Sequence, residues 1–197
     1  MPDLKQAELI GGVVLMPSPV GRTHGSLHGL MTGWLFTYSE TTRGTEFGIE
    51  TTWLMDRDDI PQPDLHLRIL PEAGGQSKDA GDYSRGAPEL VVEVSGSSSS
   101  RDLGVKLDLY RRAGVREYLT VLLKPRRIVW RQLFRGKYRE LPPDPDGLLR
   151  SKVFPGLWLD PASLWDRNRS VRDAVERGVR SPGHAVFVRR LASRARK

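Results

Sequence analysis

The chain has 197 residues, enough for one core burying roughly 70% of the surface the unfolded chain exposes. It has no cysteine, which excludes disulfides and thiolate metal sites, and its longest early apolar run, residues 9–16, is interrupted by two glycines and too short to cross a membrane. The net charge of +7 is uneven: residues 1–100 hold 7 basic against 14 acidic side chains, residues 101–139 hold 12 against 3, and residues 167–197 hold 10 against 2. An acidic half beside basic segments suits a polyanionic substrate held near a cation site, or a solvated surface with a basic tail.

In chain order, residues 6–16 predict a hairpin turning at Gly11-Gly12, with Glu8 as a surface carboxylate. After Pro17, Pro19 and Gly21, a helix is predicted from about 23 to 40, with Leu27, Leu30, Met31, Trp34 and Leu35 on its apolar face. His24 and His28 lie near its start; backbone bonding and a place beside a site both remain open for His24. Residues 44–55 predict one strand, with Glu46, Glu50 and Thr52 opposite Phe47, Ile49, Thr51 and Trp53, so Glu50 is an accessory ligand candidate. Asp56 to Asp59 form an acidic turn lacking the glycine and closing glutamate of a calcium loop. The polar run 71–86 predicts a mobile loop.

The chemistry concentrates in two strands and a helix. Leu65, Leu67 and Ile69 alternate along a strand that Asp64 opens, and Leu90 to Val94 is a short buried strand carrying Glu93. A buried carboxylate needs a metal, a cation or a wet rim. If the strands are neighbours, Asp64 and Glu93 at ~5 Å repel by roughly 3 kcal/mol at an effective dielectric near 20. A divalent cation reverses that sign, and two carboxylates with the Val94 carbonyl suit Mg²⁺ or Mn²⁺. The next helix, capped by Ser99 or Ser100, has Leu103, Leu107 and Tyr110 as its buried stripe and Asp102, Lys106 and Tyr110 along the stripe's edge. Lys106 can therefore reach the carboxylates, a phosphate or a nucleophilic water.

Pro63-Asp64, Pro88 to Val94, and Asp102-x3-Lys106-x3-Tyr110-x2-Ala113-Gly114-Val115-x-Glu117-Tyr118 resemble the restriction-endonuclease-like family often called Uma-two, within the PD-(D/E)XK nuclease superfamily. The opening, Glu8-Leu9-Ile10-x-Gly12-x-Val14-x-Met16-x-Ser18-Pro19 followed by His24, is similar to that family's, and the resemblance runs from about residue 8 to about 161. It implies that His24 lies near the site and that Lys106 replaces the superfamily lysine, whose usual place is held by Ser95. Leu119 and Leu122-Leu123-Lys124-Pro125 stand where family members tend to carry a tryptophan and an Asp-Pro.

Further on, Gly114 caps the helix, and strands follow at about 117–123, 127–134 and 138–141. Arg126, Arg127, Arg131, Arg135 and Arg139 mark this set, either as a phosphate-binding face, with Arg101, or as charge protecting a sheet edge. A loop at 142–147, a short strand at 153–159 and a helix from about 161 complete a domain ending near 178; residues 179–197 read as a basic, poorly ordered tail. The expected fold is α/β, a restriction-endonuclease-like mixed central sheet flanked by helices with an antiparallel extension. The expected function is cytoplasmic, metal-dependent endonucleolytic hydrolysis of DNA, with Asp64, Glu93 and Lys106 catalytic, Asp64, Glu93 and Val94 at the metal, and His24, Glu50, Asp102 and Tyr110 accessory. The alternative is a catalytically silent domain that binds nucleic acid or itself. A homodimer suits cutting of both strands.

Overall fold

The structure, a computed structural model, describes residues 7–16, 19–96 and 102–196. It opens with the expected hairpin, β1 (Glu8–Ile10) and β2 (Val13–Leu15), turning through Gly11 and Gly12 at φ 58° and 76°, a left-handed geometry cheap for glycine. Helix α1 (Arg22–Thr41) follows and buries Leu27, Met31, Trp34, Leu35 and Tyr38; Leu30 is exposed, so the apolar face is narrower than predicted.

Six strands form the central sheet, in the order β11-β10-β9-β8-β5-β3. These are β3 (Thr45–Ile49), β5 (Leu65–Ile69), β8 (Leu90–Ser95), β9 (Glu117–Leu122), β10 (Arg127–Phe134) and β11 (Lys137–Glu140). Within this sheet, among the described residues, only β8 and β9 pair in parallel. A parallel pair needs a long crossover, supplied here by the segment carrying helix α2 (Val105–Ala113), while the short turns after β9 and β10 make antiparallel neighbours. The strands β5, β8 and β9 are buried throughout, both faces of the sheet being covered, so that even His66, Arg68 and Glu117 lie inside.

Side-chain alternation divides the core. Leu65, Leu67, Val92, Leu119 and Val121 join Met31, Trp34 and Leu35 on the α1 face. Val91 and Tyr118 join Leu109, Tyr110 and Ile10 on the α2 face. By the same period of two, Asp64, Glu93 and Ser95 belong to the α2 face.

Several expectations change. The strand predicted over 44–55 is two: β3 ends at Ile49, Glu50 takes φ 48°, and β4 (Trp53–Leu54) leaves for another sheet. The segment 71–86 is not a bare loop but holds a 3₁₀ turn, Pro71–Ala73, and strands β6 (Lys78–Ala80) and β7 (Tyr83–Arg85), which pair with each other and with β4. Buried Arg68 explains this, since its guanidinium donates to Asp79 Oδ1 at 2.7 Å and Ser84 Oγ at 3.2 Å. Two further buried acids pin loops: Glu89 accepts from the Ile69 and Gln76 amides, and Glu117 from Ser151 Oγ and the Lys152 and Val153 amides.

Near the carboxyl end, the strand expected at 153–159 shortens to β13 (Trp158–Leu159), paired with β12 (Leu149–Arg150). Pro161–Leu164 is a 3₁₀ turn, and helix α3 (Val171–Gly178) starts only after Ser170, whose side chain caps Arg172 N. The tail expected to be poorly ordered beyond residue 178 is helix α4 (Pro182–Arg194). Ser181 caps it, and Phe187 and Leu191, spaced four apart, enter the α1 core. Composition hid this because arginines occupy the solvent side.

Candidate active site

The antiparallel register pairs Leu65 with Val92, and continuing it by one residue sets Asp64 opposite Glu93 on the α2 face. Directly opposed residues have Cβ atoms roughly 5 Å apart. Asp64 Oδ2 accepts the Val94 amide N–H at 2.6 Å, which locks the carboxylate against β8. Val94 touches the pair through that N–H; the expected role of its carbonyl as a metal ligand rests on no contact seen here.

Helix α2 turns its polar row inward. Asp102, Lys106 and Tyr110, one turn apart, are all buried, whereas Leu103 and Leu107, predicted as the core stripe, are only half-buried. The inward face is therefore the charged one, with Leu109 beside it. The reason lies opposite: Lys106 Nζ donates to Glu93 Oε1 at 3.0 Å, and Tyr110 OH donates to the same oxygen at 2.8 Å. The proposed caps Ser99 and Ser100 lie outside the described residues, as does Arg101.

Ser95, where the superfamily lysine is expected, is 1% exposed, and its hydroxyl donates to Asp102 Oδ2 at 2.7 Å. Asp102 also accepts Tyr118 OH on its backbone carbonyl at 2.9 Å. This brace fixes the turn leading into α2 and so the direction from which Lys106 arrives.

Glu8 corrects the expectation of a surface carboxylate. It is buried, and its Oε1 accepts from Lys106 Nζ at 2.9 Å and from Gln62 N at 2.8 Å. The alternation of Glu8 and Ile10 around Leu9 was the signal available: Ile10 is buried, and residues two apart on a strand share a face.

His24 Nε2 lies 3.6 Å from Asp64 Oδ2, and its ring stacks on that of His28, whose Nε2 approaches the Asp64 carbonyl at 3.2 Å. Glu50 reaches the site through its backbone, its N–H donating to the Asp64 carbonyl at 3.0 Å, while its side chain is exposed at the rim. The basic set divides. Arg126 is exposed in the β9–β10 turn, Arg127 pairs with Glu140 at 2.6 Å, and Arg131 is half-buried, with burial lowering its guanidinium pKa. The turn with Arg126 and Arg127 sits at the Ser95 end of the sheet, because Leu122 pairs with both Ser95 and Arg127.

Carboxylates outnumber cations in this cluster, and the charges respond. Burial, resisted by Lys106 and reinforced by Asp64, Asp102 and Glu8, pushes the Glu93 carboxyl up to about 8. Burial also pushes Asp64 upward, but the His24 ring at 3.6 Å and the hydrogen bond from the Val94 amide outweigh it and hold Asp64 below its ordinary value. Lys106 is drawn down by burial and carried well above its ordinary value by Glu93 and Glu8. The Asp64 carboxylate, 3.6 Å away, raises His24 against the pull of burial. The two facing carboxyls are thus unequal, Glu93 shifted upward and Asp64 downward.

Among the described residues, no group of three or more His, Cys, Asp or Glu side chains is placed to hold a metal ion by itself. The donors at Asp64 and Glu93 are hard oxygens, and two carboxylates fit a small divalent ion that keeps several waters.

A mixed sheet with this Asp and Glu on adjacent strands, and a lysine from the crossover helix bonded to the Glu, defines an α/β protein of the nuclease-like class. The fold is similar to that of a protein from Anabaena variabilis ATCC 29413 described as a putative nuclease belonging to DUF820, with a TM-score of 0.61 and 15% identity over 86% of this chain and 89% of that one. The chain belongs to the Uma2 family, described as "Putative restriction endonuclease", whose model matches residues 1–162. No curated protein matches it.

Proposed function

We propose that the chain is a metal-dependent endodeoxyribonuclease whose site is Asp64, Glu93 and Lys106. The observation that carries this reading is the opposition of Asp64 and Glu93 on adjacent strands with the Lys106 ammonium bonded to Glu93. Asp64 and Glu93 would hold Mg²⁺ or Mn²⁺, which when bound supplies a hydroxide and neutralises charge at the scissile phosphate. Lys106 Nζ, charged and held within the site, donates to the oxygen that gathers negative charge as the phosphodiester is attacked. Tyr110 and Ser95 act through others, orienting Glu93 and the approach of α2. Arg126 and Arg127, at the Ser95 end of the sheet, position the DNA backbone without reading bases. A cytoplasmic homodimer cutting both strands is consistent with this reading.

The second reading is a catalytically silent domain that binds nucleic acid or itself. It is favoured by one feature, the Lys106 charge already shared between Glu8 and Glu93. Cleavage of plasmid and single-stranded DNA with Mg²⁺ or Mn²⁺, controlled by EDTA, separates the two. The nuclease reading expects cutting that falls by at least ~10² in Asp64→Ala, Glu93→Ala and Lys106→Ala. Absence of cutting, with salt-sensitive DNA binding indifferent to those substitutions, selects the silent domain.

A further inference from the structure

Lys106 is held by two carboxylates of different standing. Glu93 Oε1 is shared, accepting from Lys106 Nζ at 3.0 Å and from Tyr110 OH at 2.8 Å. Glu8 is anchored independently of both β8 and α2, since its Oε1 takes the backbone N–H of Gln62 at 2.8 Å. The hairpin that carries Glu8 is itself tied down. Leu9 and Ile60 exchange backbone hydrogen bonds at 3.1 and 2.7 Å, Gly12 N donates to the Asp58 carbonyl at 2.9 Å, and Gly11 N donates to Asp59 Oδ1 at 2.7 Å. Asp59 Oδ2 in turn pairs with Arg112 of α2 at 3.1 Å. Two ion pairs, Glu8–Lys106 and Asp59–Arg112, therefore run between α2 and the hairpin layer, a turn and a half apart along the helix.

We propose that Glu8 is a positioning residue that retains the Lys106 ammonium beside the site when a divalent cation takes Glu93. The proposal rests on the metal-binding reading of Asp64 and Glu93. A dication on Glu93 repels a neighbouring ammonium and draws away the electron density that the ammonium had been bonding. A buried ammonium without another counter-charge leaves for solvent. Glu8 provides that counter-charge from a strand outside the metal's own pair, at 2.9 Å from Nζ, so the lysine keeps its place while Glu93 changes partner. The amino-terminal hairpin, remote in sequence from the strand-helix core of the site, thereby becomes a working part of it.

The test uses Glu8→Gln, whose amide oxygen can still accept from Gln62 N, so that the hairpin stays docked while the charge is lost. Lys106 is the buried lysine among those described, and its acylation by a water-soluble amine reagent is read by mass spectrometry against the exposed Lys137. Wild-type Lys106 is expected to be protected with and without Mn²⁺. In Glu8→Gln it is expected to be protected in EDTA, where Glu93 still holds it, and to label at least ~10-fold faster in Mn²⁺. Glu8→Asp, which keeps the charge, should lie closer to wild type in Mn²⁺. A structural role for Glu8 would raise labelling in EDTA as well, and that result overturns the proposal. So does wild-type protection of Glu8→Gln in Mn²⁺, when Mn²⁺ binding measured separately is present and lost in Asp64→Ala; the metal reading then stands and Glu8 is not the holder. If Mn²⁺ does not bind the wild type, both readings fall together.

Discussion

Replacing Glu93 by Gln should stabilise the protein in EDTA at alkaline pH while abolishing any metal-dependent cutting. Glu93 is 4% exposed, and its carboxyl sits at about 8 in the fold against 4.5 for an unperturbed glutamate. The folded state therefore keeps a proton that the unfolded chain has released between those values, so stability is highest below pH 4.5 and falls as pH rises through 8. At about 1.4 kcal/mol per pH unit, the full cost of ionising Glu93 approaches ~5 kcal/mol. Gln escapes that cost, and the bond to Lys106 is already counted within it, since the lysine is one of the charges that set the Glu93 value. The net gain at pH 9 is then about 5 kcal/mol, or roughly 10–20 °C in Tm for a chain of this size. At pH 5.5, where Glu93 is protonated in the fold, the two proteins should differ by only about 1.4 kcal/mol. Thermal or urea melts at pH 5.5, 7 and 9 in EDTA measure the difference directly. Mn²⁺ should raise the wild-type Tm and leave Glu93→Gln unmoved, because a cation stabilises the ionised carboxylate. A difference that does not grow with pH, or a Gln variant less stable than wild type at pH 9, would refute the argument that burial dominates the charge on Glu93.

Lys106→Met leaves Glu8 and Glu93 buried without their shared cation and should cost ~3–5 kcal/mol at pH 8, less at pH 5.5 where Glu93 takes up its proton; equal losses at both pH values in urea melts would contradict this. His66 is buried and accepts the Trp53 indole N–H on Nδ1, and burial together with Arg68 brings its pKa down to about 3. Its contribution is present above pH 6.5 and is lost as pH falls toward 3, amounting to roughly 2 kcal/mol by pH 5; His66→Phe should show a shallower stability slope between pH 6.5 and 5. Phe187→Ala in α4 should cost ~3–5 kcal/mol, and a loss under ~1 kcal/mol would show that the carboxyl-terminal helix is not part of the core.

Much of the site could be read in one dimension because its parts are local. Pro63-Asp64 and the Leu90 to Val94 run each marked a strand bearing an ionisable group that burial alone would forbid, and the regular spacing of Asp102, Lys106 and Tyr110 set them on one side of a helix. Periodicity also found the hairpin at Gly11-Gly12, helix α1 and the antiparallel strands after residue 117. It misjudged helix α2 because hydrophobicity is a guide to the inside only where the inside is apolar. Lys106 is inward because Glu93 and Glu8 are there to meet it, and no property of the helix's own sequence reports that.

The carboxyl-terminal helix shows the same limit in reverse. Its arginines outweighed Phe187 and Leu191 in composition, yet two apolar residues one turn apart suffice when α1 offers a surface to cover. Strand breaks such as Glu50 follow from the demands of a second sheet and of Arg68's partners, which are distant in sequence. The sequence by itself determined which residues carry charge into apolar strands, and hence that Glu93 needed a partner. Only the tertiary structure decided that Asp64 faces Glu93, that Ser95 braces Asp102, and that Glu8, 98 residues before Lys106, shares its ammonium. Register and docking are set by the whole core, whose contacts no local window contains.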